Sequence, residues 1–148
     1  MKRVARELGM MAVMSLVAFL VGCGPGVPQL DLSGHWSGQL VGKPGDEFSG
    51  IAYQLDLYLT QKGNNLTGSV TMGNALLSIS VPITHGVVGQ ADKSIVIDAA
   101  GEVSLFGTTK EVSFQFTGTA SSNEMSGDCV YSVGGEVHNF TWQVYREK

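Results

Sequence analysis

From Ile51 to Gln61 the chain alternates: Ile51, Tyr53, Leu55, Leu57 and Leu59 hold the odd positions, and mostly polar residues hold the even ones. A period of two is that of a β-strand with one face turned to a core. The same alternation recurs in Leu66/Gly68/Val70/Met72, Leu77/Ile79/Val81/Ile83, Ile95/Ile97/Ala99, Val112/Phe114/Phe116, Cys129/Tyr131/Val133 and Phe140/Trp142/Val144. Lys62-Gly63-Asn64-Asn65, Gly73-Asn74, Ala91-Asp92, Ser121-Ser122-Asn123 and Gly134-Gly135 interrupt these runs with residues suited to tight turns. The pattern predicts strands at 33–41, 50–61, 65–72, 76–88, 93–99, 102–107, 111–119, 124–133 and 136–146. No stretch after Cys23 carries a helical period.

Short connections make successive strands antiparallel neighbours, and one apolar face per strand has to be enclosed. The fold class is therefore all-β: an up-and-down β-barrel of roughly eight to ten strands, with a β-sandwich as the alternative. A recurring motif favours the barrel. An apolar residue, then Ser or Thr, then Gly occurs at Leu32-Ser33-Gly34, Phe48-Ser49-Gly50, Leu66-Thr67-Gly68, Phe116-Thr117-Gly118 and Met125-Ser126-Gly127. The glycine falls on the inward side, where a missing side chain lets a strand bend sharply over the core. By parity Trp36, Tyr53, Leu55, Leu57, Phe114, Phe116, Tyr131, Phe140 and Trp142 face the interior, where a hollow barrel would present them to a small apolar ligand.

The first residues follow a different rule. Lys2, Arg3 and Arg6 precede an uncharged stretch from Gly9 to Gly22, which at 14 residues is shorter than the roughly 20 needed to span a bilayer. A basic n-region and a short apolar h-region are those of an export signal. The stretch ends in Leu20-Val21-Gly22-Cys23, which resembles the bacterial lipobox. That resemblance implies a signal peptide over 1–22, a lipidated Cys23 and a membrane anchor through its acyl chains. Gly24 stands where the family's inner-membrane retention signal would place Asp, so the resemblance implies the outer membrane, with the protein facing the periplasm. Gly24-Pro25-Gly26-Val27-Pro28-Gln29 reads as a short tether, giving a tether over 23–32 and a barrel domain over 33–148.

Removing Lys2, Arg3, Arg6 and Glu7 from 9 basic and 13 acidic residues leaves 6 and 12, so no basic footprint for nucleic acid remains. With 20 Gly and 15% charged residues the composition fits a single domain of short strands and turns. Only Cys23 and Cys129 are present, so lipidation of the first leaves the second without an intramolecular partner.

Gly34-His35-Trp36 resembles the Gly-x-Trp of lipocalins and related calycin barrels. The resemblance implies that Trp36 plugs one end of the barrel and that Arg146, on the last strand, packs across it to close the ring. Leu32-Ser33-Gly34-His35-Trp36 and Leu66-Thr67-Gly68 are also similar to avidin-type barrels. The biotin-contacting set of avidins has no counterpart here, so no ligand identity transfers.

Candidate chemistry is sparse. His85 shares the parity of Ile83 and Val87, His138 that of Phe140 and Trp142, and Cys129 is inward, so a metal site of these three inside the barrel is conceivable. Their sequence spacing is not that of a metal motif, and they read instead as separate histidines and a buried thiol. No cofactor is expected. Asp56, Asp98 and Asp128 fall on outward positions as solvated charges, and no nucleophile elbow, phosphate loop or carboxylate pair can be assigned. The expectation is a non-enzymatic barrel that binds a small apolar ligand. The alternative is an envelope interaction module, or an inhibitor of a lytic enzyme, that presents the acidic loop Gly45-Asp46-Glu47-Phe48. Bacterial lipoprotein inhibitors of lysozyme and proteases are similar to this chain in size and form.

Overall fold

A computed structural model describes residues 29–148. The export signal, the lipobox and Cys23 lie outside the described residues. The strands are β1 (Gly34–Gly42), β2 (Ala52–Lys62), β3 (Asn65–Gly73), β4 (Ser78–Val88), β5 (Ser94–Leu105), β6 (Thr108–Ala120), β7 (Glu124–Val133) and β8 (Glu136–Arg146). Each pairs antiparallel with the next, and β8 returns to β1 in a ladder from Trp36↔Arg146 to Gly42↔Phe140. The sheet is a closed eight-stranded up-and-down barrel, which settles the choice against a sandwich. Its wall alternates apolar inside and polar outside, the reverse of a lipid-facing barrel.

Nine predicted windows become eight strands because 93–99 and 102–107 are one. The ladder with β6 runs on through Ala100↔Ser113, Gly101↔Val112 and Glu102↔Glu111. The hairpin turns at Phe106 and Gly107, whose φ values of 51° and 80° give the two left-handed residues that a two-residue turn needs. A phenylalanine in that role carries no turn signal in the sequence.

Parity fails once. In β4 the inward residues are Ile79 and Val81, then Gly86 and Val88, and the register with β5 shifts between Ile83 and His85. One extra residue bulges the strand and exchanges its faces. His85, expected inside, is exposed on the outer wall. Ile51, expected inward, ends the β1–β2 connection and is 45% exposed.

An even strand number brings the described chain in and out at the same end. There Leu30 and Leu32, which the sequence placed in the tether, are buried in the core and cover the barrel floor. Trp36 Nε1 donates to the Leu32 carbonyl at 2.9 Å. The Arg146 guanidinium lies 4.4 Å from the Trp36 ring centroid, the packing that the calycin resemblance implies. Its Nε, Nη1 and Nη2 donate to the carbonyls of Ser122, Ser33 and Asp31 at 2.7, 2.7 and 2.6 Å. Gln61 holds Leu30 and Leu32, and Gln90 holds Leu30, by further backbone bonds. The segment is thus strapped across the closed end.

Asp31 accepts the Ser33 N–H at 2.9 Å. That bond, the Ser33 hydroxyl and then the Arg146 charge outweigh desolvation and hold the Asp31 carboxyl below its usual 3.8. A carboxylate favoured by folding stabilises fully above its unfolded pKa, and the contribution fades as pH falls through the lower folded one. Asp31→Asn is therefore expected to flatten the stability profile below about pH 4, read by chemical denaturation at stepped pH. A variant as acid-sensitive as the parent would show that this bond does not couple to folding.

Candidate functional site

The opposite end is open. Four connections rim it: 43–51, 74–77, 106–107 and 134–135. The first is built around Asp46. Its Oδ1 accepts the Phe48 N–H at 3.0 Å, and its Oδ2 accepts the Asn139 N–H from β8 at 2.8 Å. Its Oδ1 also lies 3.3 Å from His138 Nδ1. The two backbone donors, more than His138, hold the Asp46 carboxyl below 3.8. Asp46 is therefore turned inward to fasten the loop, and of the expected acidic display only Glu47 is exposed.

Fixing this loop swings Phe48 over the barrel mouth. Its ring lies 4.4 Å from that of His138 and 6.3 Å from those of Tyr53 and Phe140. Beneath and beside it is a concavity of about 350 Å³ walled by Phe48, Tyr53, Leu77, Phe106, Tyr131 and Phe140 among others. Two larger depressions lie elsewhere on the wall: one, between Ala100–Glu102 and Glu111–Ser113, has no aromatic residue, and the other, between Gln39–Val41 and Thr141–Gln143, meets only Trp142. Burial pushes the Tyr131 phenol up to about 12, with nearby Tyr53 adding to it. The Tyr131 hydroxyl is thus neutral at ordinary pH, and the mouth, which Thr108 and Lys110 also border, offers rings for apolar contact beside polar handles.

Of the nine interior residues expected to meet a ligand, the structure places Tyr53, Tyr131 and Phe140 at this concavity. Trp36, Leu55, Leu57, Phe114, Phe116 and Trp142 are fully buried below it and fill the barrel. Phe114 stacks on Phe116 at 5.7 Å, and Phe116 meets Trp142 edge-on at 5.2 Å. The interior is a packed core with one apolar cup at its mouth. Sequence reasoning missed Phe48, Leu105 and Phe106 as wall residues. Leu105 alone had a usable signal, as the inward residue beside a connection on the open side.

His85, His138 and Cys129 are not brought together. His85 is on the outer wall, and Cys129 is 1% exposed with burial pushing its thiol up to about 12, so it packs as a small hydrophobe. His138 is 5% exposed beneath Phe48. On the outer wall His35 Nε2 lies 2.7 Å from Asp56 Oδ1, with the ring stacked on Tyr58.

Comparison of the chain with models of protein families, with curated proteins and with solved structures found no match.

Proposed function

We propose that this protein is a lipoprotein anchored to the outer membrane through Cys23, and that its barrel mouth holds a small apolar ligand without catalysing a reaction. The observation that carries the binding role is the aromatic cup of about 350 Å³ at the open end. Small-molecule pockets range from about 300 to 1,000 Å³, so this volume suits a compact ligand, or the end of a chain whose remainder stays outside. The filled core below the cup sets that limit: Phe114 and Phe116 are 0% exposed and leave no channel toward Trp36. The anchor rests on the lipobox resemblance alone.

Native mass spectrometry of the chain from Gly24 to Lys148 is expected to show a co-purifying apolar compound. Leu77→Trp, which fills the cup from one wall, should remove it. A ligand-free parent, or a compound retained by Leu77→Trp, overturns the binding reading. Cys23→Ser should separately release the protein from the membrane fraction, and retention would overturn the anchor.

A second reading, docking of an envelope protein, is favoured by the rim. Ile51, Leu76 and Phe106 lie in three connections of the open end and are 45%, 95% and 96% exposed, and Val137, at the start of β8 beside the fourth, is 59% exposed. Exposed apolar residues gathered at one pole fit a protein contact. Leu76→Ser with Phe106→Ser would weaken such a contact and leave the filled core untouched.

A further inference from the structure

We propose that Glu47, Glu136 and His138 form a binding site for a divalent first-row transition ion, of which Zn²⁺ is the type, at the rim of the open end. The starting point is a buried atom with nothing to bond. His138 Nε2 is enclosed and has no hydrogen-bond partner, and among the described residues it is the sole buried side-chain nitrogen or oxygen in that position. Leaving such a group unpaired costs about 1–3 kcal/mol, so its surroundings call for an explanation.

The other ring nitrogen decides which species Nε2 is. Nδ1 faces Asp46, whose carboxylate is already fixed by the Phe48 and Asn139 amides and can only accept. In the neutral ring the proton therefore belongs on Nδ1, and Nε2 presents a lone pair. A carboxylate behind the distal nitrogen of an imidazole is the support that metal-bound histidines use, because it sets the tautomer and raises the donor strength.

What Nε2 faces is also electron-rich. Glu136 Oε2 lies 3.8 Å away, too far for a hydrogen bond, and one ligand atom each from Glu47, Glu136 and His138 lie within 4.8 Å of one another. Three lone-pair donors around one point repel one another, and a divalent cation placed there would satisfy all three. Ligands at about 2.0–2.2 Å from a tetrahedral ion stand about 3.3–3.6 Å apart, so the 3.8 Å pair is within a few tenths of an ångström of a fit. The other separations, all within 4.8 Å, close with about 1.2 Å of motion or less, by side chains that are exposed and free to move, Glu136 being 77% exposed. One imidazole nitrogen with two carboxylates suits Zn²⁺ and its neighbours better than Mg²⁺ or Ca²⁺, which prefer oxygen alone.

The site joins two connections that the ladder leaves apart: Glu47 belongs to the loop before β2, and Glu136 opens β8. A bound ion fixes Glu47 and with it the adjacent Phe48, the residue that leans over the cup. The proposal does not depend on a ligand occupying that cup.

The test is titration of the purified full chain with Zn²⁺ alone, followed by calorimetry and by the ¹⁵N shift of His138, in a background of His35→Gln and His85→Gln. One ion per chain is expected, with a large shift at His138 Nε2. Glu47→Gln and Glu136→Gln should each weaken binding by at least about tenfold, and both replace exposed side chains that the fold does not need. Asp46→Asn, which unsettles the tautomer, should weaken it by about 10–100-fold. No binding, binding indifferent to both glutamate variants, or binding that leaves the His138 Nε2 shift unmoved would each overturn the proposal.

Discussion

Trp36→Ala is expected to lower the unfolding free energy by about 3–5 kcal/mol, the range for deleting a large buried aromatic. Trp36 is 0% exposed, and three groups lean on it. The Leu32 carbonyl loses its Nε1 donor, Arg146 loses the ring beneath it, and Leu30 and Leu32 lose their seat. Only the last can be partly recovered by collapse, because Arg146 is held by three carbonyls in a fixed fork. Trp36→Phe keeps most of the apolar contact and removes the donor, so it should cost about 1 kcal/mol, the net worth of one hydrogen bond. Guanidinium unfolding of the pair separates packing from the hydrogen bond. Equal stability of Trp36→Ala and parent would show that the floor is not held through this ring. Ligand capture at the far mouth should survive either change.

Gly127→Val is the second large effect. Gly127 on β7 stands opposite Gly118 on β6. A Cβ on Gly127 would come 1.9 Å from the Thr117 carbonyl oxygen, and one on Gly118 would come 1.9 Å from that of Ser126. Both obstacles are backbone, so no rotamer relieves the clash, and the two strands would have to part by more than an ångström. The Thr117 carbonyl also accepts Trp142 Nε1 at 3.1 Å, so separation there disturbs a core indole as well. We expect a loss of about 3 kcal/mol or more, the upper end for overpacking. Gly45→Ala, at an open loop position with φ +89°, should cost only the local backbone strain. If Gly127→Val were no worse than Gly45→Ala, the close crossing of β6 and β7 would be wrong.

What the sequence made legible was whatever repeats along a strand. Period two identified the walls, the motif ending in glycine included Gly118 and Gly127, where β6 and β7 approach too closely for a Cβ, and Trp36 with Arg146 named the closure. The misreadings have a common cause. A bulge in β4 carries no residue signature, so parity assigned His85 to the wrong face. The Phe106–Gly107 turn uses a residue that rarely adopts positive φ, so the break was sought at Ala100-Gly101 instead. Leu30 and Leu32 lie outside any strand, and only the strap formed with Arg146, Gln61 and Gln90 buries them. The mouth was least legible, because the Asp46–His138 contact links positions 92 residues apart. Parity placed His138 inside the barrel but could not show that a carboxylate from the first connection would reach it.

Because the described chain enters and leaves at the floor, a leash, a label or a solid support joined to it there starts from the end opposite the cup. A copy immobilised through the floor would therefore present the aperture to solution. Capture assays on this protein can use attachment at that end.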